Sequence, residues 1–163
     1  MKKFLVILLF VVGCGGGGGS QDTGNAAAKI SDWQQREKQA ATIETECVVT
    51  GDIVADIKNV ASYVSDGFEP RNEDVDYWKT SQEALNDGFG DCEDMAAIAY
   101  RALSDSCLVE AYGLDVRMRI VAQGNTEHAI AIAYTDDAFF EIDNFVVIDH
   151  ERNYPVNYEF YVF

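Results

Sequence analysis

The spacing of apolar residues changes once along this chain, and that change constrains the fold more than any other feature. Up to Ser104 the apolar positions recur every third or fourth residue: Ile53, Ile57, Val60, Ala61 and Val64 form one stripe, and Met95, Ala96, Ala99 and Leu103 another. Beyond Gly113 the period drops to two. Val116, Met118, Ile120 and Ala122 alternate with Arg117, Arg119 and Val121, and His128, Ile130, Ile132 and Tyr134 alternate with Ala129, Ala131 and Ala133. Helices first and antiparallel strands afterwards define an α+β domain, with the helices packed on the sheet.

The helix boundaries follow from local chemistry. Residues 26–45 are polar and helix-permissive, with Ile30, Trp33, Ala40, Ala41 and Ile43 as scattered apolar points, and are expected to pack across the surface. Thr50-Gly51-Asp52 caps a second helix that ends near Asp66-Gly67. Phe68 to Tyr77 contains Pro70, Asn72 and several acids, lacks a regular period and reads as a loop. Thr80-Ser81-Gln82-Glu83 has the form of a capping box for a short helix that stops at Gly88. Gly88-Phe89-Gly90 lets the backbone double back, and Asp91 is placed to cap a further helix that begins Cys92-Glu93-Asp94. On the strand side, Gly124-Asn125 and Asp136-Asp137 are turns. Phe139 to Asp143 is a third strand, Val146 to Ile148 is read as its continuation, and Tyr158 to Phe163 closes the sheet.

The N-terminus supplies an address. Met1-Lys2-Lys3 followed by the apolar run Phe4 to Val12 is a basic start and a core too short for a permanent span, which is the pattern of an export signal. Val11-Val12-Gly13-Cys14 resembles the bacterial lipobox, in which the cysteine becomes the acylated N-terminus, and two or three acyl chains anchor a protein stably. The expected organisation is a signal peptide over 1–13, a Gly-rich tether over 14–25 and a single domain over 26–163. Gly15 stands where aspartate would favour retention at the inner membrane, so the anchor is placed in the outer membrane, facing the periplasm. Charge narrows the partners. The chain carries 12 Lys and Arg against 28 Asp and Glu, a net −16 that becomes −18 once Lys2 and Lys3 leave with the signal. Nucleic acid is excluded as a partner, because phosphate binding needs a basic footprint.

Four cysteines are present. With Cys14 lipidated and Cys92 reactive, Cys47 and Cys107 remain as a possible disulfide in an oxidising compartment. Cys92 stands out because it opens a helix, where the dipole and unpaired amides favour a thiolate, yet Asp91, Glu93 and Asp94 oppose that charge. An imidazole is therefore needed. Of the two histidines, His150 lies in the polar turn Asp149-His150-Glu151-Arg152-Asn153 and is expected in solvent. His128 lies in a strand. A two-residue turn at Asp136-Asp137 sets Ile130 opposite Asp143 and His128 opposite Phe145, so His128 and Asp143 become diagonal neighbours on one face, roughly 7–8 Å apart at the backbone. Cysteine, histidine and aspartate in that order form a candidate nucleophilic triad.

These residues resemble a known family. Tyr77-Trp78-Lys79-Thr80-Ser81-Gln82-Glu83-Ala84-Leu85, Gly88-Phe89-Gly90-Asp91-Cys92-Glu93-Asp94-Met95-Ala96, Glu127-His128-Ala129-Ile130 and Ile142-Asp143-Asn144 look like the bacterial transglutaminase-like cysteine proteinases, a group that includes periplasmic adhesin-processing proteases. The resemblance runs from about Val60 to Phe163, and Tyr154-Pro155-Val156-Asn157-Tyr158 fits the closing strand. It departs from the family at Ser81, where proline is common. It implies a papain-like core with Cys92 as nucleophile, His128 as general base and acid, and Asp143 orienting the imidazole. It also implies Ca²⁺ beside the nucleophile on Asp91 and Glu93, which would neutralise the acids that oppose the thiolate. The expected function is that of a lipid-anchored thiol endopeptidase acting on a surface adhesin or another envelope protein. Acyl transfer to an amine and a non-catalytic calcium-responsive binding module are the alternatives.

Overall fold

The computed structural model describes residues 23–73 and 77–162. The expected signal peptide, the lipidated Cys14, residues 14–22 of the tether, residues 74–76 of the loop and Phe163 lie outside the described residues. The first helix, α1 (Thr23–Glu37), starts three residues before the expected domain boundary, so the end of the tether is helical. Most of α1 is exposed or half-buried, in keeping with a segment packed across the surface. Ile30 and Trp33 are buried, and Trp33 donates its indole N–H to the Lys79 carbonyl at 2.8 Å while its ring meets Trp78 and Phe160 edge-on. A Trp among polar residues was an anchor rather than a stray apolar point.

Helix α2 (Ile53–Ser65) is capped by Asp52, whose carboxylate accepts from the Ala55 amide, and buries Ile57, Val60, Ala61 and Val64 as its spacing requires. Two-residue strand β1 (Glu69–Pro70) interrupts the expected loop and pairs in parallel with β2 (Phe89–Gly90). Between them, α3 (Ser81–Asp87) begins with both reciprocal bonds of the Thr80/Glu83 capping box and ends at Gly88, which adopts a left-handed φ of 72°. Helix α4 (Cys92–Ser104) follows at once. A short helix, α5 (Leu108–Tyr112), which the sequence period is too brief to announce, turns the chain into the sheet.

Strands β3 (Asp115–Gln123), β4 (Thr126–Tyr134), β5 (Phe139–Asp143), β6 (Val146–Ile148) and β7 (Val156–Phe160) form one antiparallel sheet in the order β6-β5-β4-β3-β7. The reading of β6 as a continuation of β5 is overturned. Asn144 and Phe145 both take left-handed φ values, 49° and 64°, and fold Val146–Ile148 back beside β5 as an edge strand.

Helix α4 packs on the inner face of the sheet. The row Ala129, Ala131 and Ala133 on β4 faces it, and these small side chains admit the helix at close range alongside Ala96, Ala99, Tyr100 and Leu103. Val121, Ile130 and Ile132 form a separate cluster on the outer face. Cys47 and Cys107 are joined by a disulfide, with Cα atoms 5.9 Å apart, which ties the extended segment after α1 to the start of α5.

Candidate active site

Cys92 opens α4 and is buried at the inner side of the sheet. Strand β4 pairs with β5 only from Ala131 to Tyr134. The Ala129 amide lies beyond the last of these partners and donates instead to Cys92 Sγ at 3.5 Å. The sulfur thus sits in the plane of the sheet where two strands part, next to the backbone of His128. Nucleophilic chemistry belongs to the reduced form of Cys92.

The β4–β5 register is the one the turn predicts: Ala131 opposes Ile142 and Ile132 opposes Glu141, which sets Ile130 across from Asp143. His128 and Asp143 therefore share a face, and His128 Nε2 lies 2.7 Å from Asp143 Oδ1. By strand alternation that face is the outer one, with Ile130 and Ile132, whereas α4 packs on the inner one. Cys92 meets the strand at the Ala129 amide, not across the face that carries His128. Burial pushes the Asp143 carboxyl up, but its hydrogen bond to His128, the charge of His128 and the Arg152 guanidinium outweigh burial and hold it below the usual 3.8. Asp143 is therefore ionised at neutral pH.

The acids around Cys92 behave differently. Asp91 occupies the cap position of α4 with extended backbone, and its carbonyl accepts from the Met95 amide at 3.0 Å, but its side chain makes no cap hydrogen bond. Asp91 is thus the expected cap residue, acting through its main chain. Glu93 Oε2 lies 3.3 Å from Cys92 Sγ. Burial, then the charge of Asp91, pushes Glu93 up to about 9. Burial and Asp91 also push Asp94 up to about 7, against the pull of Lys79. Asp94 Oδ1 accepts from the Lys79 amide at 3.1 Å, while Oδ2, without a hydrogen bond, faces Lys79 Nζ at 3.7 Å. The first turn of α4 therefore concentrates carboxylates beyond what its neighbouring cation neutralises. Such a cluster holds either protons or a cation. Among the described residues no three His, Cys, Asp or Glu side chains converge as metal ligands.

Two participants escape a reading by spacing. Lys79 is buried, with Nζ 2.7 Å from Glu73 and 3.1 Å from Asp87, and its ammonium lies 4.1 Å from the centre of the Phe89 ring. Its signal was its place as the lone cation in a stretch of acids. Arg152 lies in the polar turn beside His150, which is exposed as expected, yet Arg152 Nη2 reaches to 2.7 Å from Asp143 Oδ2. Nothing local to that turn announces the contact.

No family model and no curated protein sequence matches the chain. Among solved structures it is similar to Legionella pneumophila LapG, with 19% identity and a TM-score of 0.53 over 81% of this chain and 83% of that one. A calcium-bound structure of LapG superposes with the same TM-score at 18% identity, covering 81% of this chain and 83% of that one. An EGTA-treated structure of LapG does so at 19% identity, covering 81% of each chain. The chain has the LapG fold. The expected architecture, with the cysteine helix packed on an antiparallel sheet, is the one found, and at this identity the LapG likeness is one of fold.

Proposed function

We propose that this chain is a thiol endopeptidase of the bacterial cell envelope with Cys92, His128 and Asp143 as its catalytic residues. The observation that carries the reading is the contact of His128 Nε2 with Asp143 at 2.7 Å, in a protein whose helix-initial cysteine sits against the next residue of the same strand. The LapG fold and the sequence motifs around Cys92 support it.

With Asp143 bound at Nε2, the proton shuttle falls to Nδ1 of the imidazole. Reduced Cys92 passes its proton to His128, and the thiolate attacks the scissile carbonyl carbon. A C–S bond forms and the carbonyl electrons move to oxygen, where amides at the α4 N-terminus stabilise the charge. Collapse breaks the C–N bond as the imidazolium protonates the departing amine. Water, deprotonated by His128, then adds to the thioester carbonyl, and Cys92 leaves as the acid product is released.

Asp91 and Glu93 fit a hard cation such as Ca²⁺: they are neighbouring oxygen donors at a spot where burial and mutual repulsion disfavour two bare charges. Bound there, Ca²⁺ would supply positive charge beside the nucleophile. The lipidated Cys14 would hold the enzyme at the outer membrane, facing envelope-protein substrates in the periplasm. No helix among the described residues is long and apolar enough to cross a membrane.

The test is incubation of the reduced mature protein with envelope proteins, with and without Ca²⁺, followed by identification of new peptide ends. New ends are expected from the wild type and none from Cys92→Ala with an unchanged circular dichroism spectrum. Cleavage by the Cys92→Ala protein would falsify the mechanism, and new isopeptide bonds in place of new ends would reassign it to acyl transfer.

A further inference from the structure

Arg152 reaches the proposed catalytic carboxylate from a loop that the triad does not otherwise use. Its Nη2 is 2.7 Å from Asp143 Oδ2, the oxygen opposite the one that meets His128. The N–H directions at Nη2 miss that oxygen, so the contact is an ion pair rather than a directed hydrogen bond. The other end of the guanidinium is held firmly. Arg152 Nε donates to Glu141 Oε2, the Arg152 backbone amide donates to Glu141 Oε1 at 3.1 Å, and the Tyr154 ring lies 4.9 Å from the guanidinium carbon.

Glu141 is 1% exposed and lies two residues before Asp143 on β5, so the two carboxylates share the outer face. Without a cation between them they would repel, and Asp143 would gain by rotating away from Glu141 and towards solvent. A guanidinium whose position Glu141 fixes on both its backbone and side chain cannot follow such a rotation. It therefore penalises every Asp143 rotamer except those that keep Oδ2 on Arg152, and in the observed one Oδ1 points at the imidazole. We propose that Arg152, held by Glu141, is a positioning residue that fixes Asp143 against His128; the inference rests on the triad proposed above.

The readouts are the rate at which iodoacetamide alkylates Cys92 in the reduced mature protein, followed on the Cys92 peptide by mass spectrometry, and the downfield proton resonance of a hydrogen-bonded imidazole N–H. Arg152→Gln is expected to slow alkylation at neutral pH about tenfold, a loss of about 1.4 kcal/mol, and to abolish the resonance. Arg152→Lys, which keeps the charge but not the fork, is expected to fall between Arg152→Gln and wild type in both. Glu141→Met with Arg152→Met removes the Glu141–Arg152 pair and leaves Asp143 on His128. It keeps a folded sheet even if Arg152→Gln does not, and it too is expected to lose rate and resonance. Wild-type rate and resonance in the folded double variant would overturn the inference. His128→Ala separates the two levels. If it alkylates at the wild-type rate, the triad falls and the role of Arg152 with it; if it slows while the Arg152 variants do not, the role of Arg152 alone falls.

Discussion

Two positions before Cys92, Gly90 admits a close approach of the Asp94 side chain to the backbone. A Cβ built on Gly90 would stand 2.2 Å from Asp94 Oδ2 and 2.6 Å from Asp94 Cβ. Turning the Asp94 side chain cannot relieve the second contact, so the backbone joining β2 to α4 would have to move. Gly90→Ala is expected to destabilise the protein by about 1–3 kcal/mol, the usual range for overpacking, read as a lower urea midpoint. Because the displaced segment carries the first turn of α4, alkylation of reduced Cys92 should slow in the same variant. An unchanged midpoint would mean that the Asp94–Gly90 contact is not part of the folded state. At this scale the sequence was partly legible. Gly90 was recognisable as a turn residue, but its reason, a buried Asp94 against the backbone, is a tertiary contact. His128 and Asp143 could be paired from turn length alone because strand register propagates rigidly from a two-residue turn. Arg152 could not, since its partner lies across a loop with no period to count.

At the scale of elements, local rules succeeded where capping or alternation was strong and failed where a turn was built from unsuitable residues. The Thr80/Glu83 box is complete, with Thr80 Oγ1 accepting from the Glu83 amide at 3.2 Å and Glu83 Oε2 accepting from the Thr80 amide at 2.7 Å. The hairpin between β5 and β6 was missed because its second turn residue is Phe145, at φ 64°, where glycine is the usual occupant. Phe145 is kept there by packing, with its ring meeting Phe68 edge-on at 5.7 Å. Tertiary contact thus overrode turn chemistry. The start of α3 has a second device that sequence could not reveal: Glu37, fully buried at the end of α1, accepts from the Ser81 amide at 2.7 Å and from its hydroxyl at 2.6 Å. Two separate sets of acceptors hold one helix start. Thr80→Ala is therefore expected to cost about 1 kcal/mol, the ordinary value of a lost cap, without unfolding α3, because Glu37 still satisfies the Ser81 amide. Thermal melting of Thr80→Ala, of Glu37→Ala and of the double variant checks this. The double variant should lose more than the two single losses combined, and strict additivity would show that the two caps act independently.

For the whole molecule, the question is what holds the N-terminal segment on a domain whose core lies between α4 and the sheet. Besides the contacts of α1 itself, three ties follow it. Arg101 Nη2 donates to the Ala40 carbonyl at 3.2 Å, the Ile43 amide donates to Asp105 Oδ2 at 2.9 Å, and the Cys47–Cys107 disulfide closes a separation of 60 residues. The first two join the segment after α1 to the C-terminal end of α4, and the disulfide joins it to the corner that follows. The closed loop contains α2, α3 and the whole of α4, so in the unfolded chain it restrains every helix that builds the site except α1. For a loop of that length, the chain-entropy model gives roughly 4 kcal/mol. The native contacts of the segment do not depend on the disulfide, so its loss should act through the unfolded state and leave the folded site intact. Cys47→Ala with Cys107→Ala is accordingly expected to lower the denaturation midpoint by a free energy approaching that value, while Cys92 alkylation under native, reducing conditions stays at the wild-type rate. A parallel loss of Cys92 reactivity would instead show that the disulfide shapes the native site. In that case the tie between the N-terminal segment and α4 would belong to the catalytic geometry and not only to the stability of the fold.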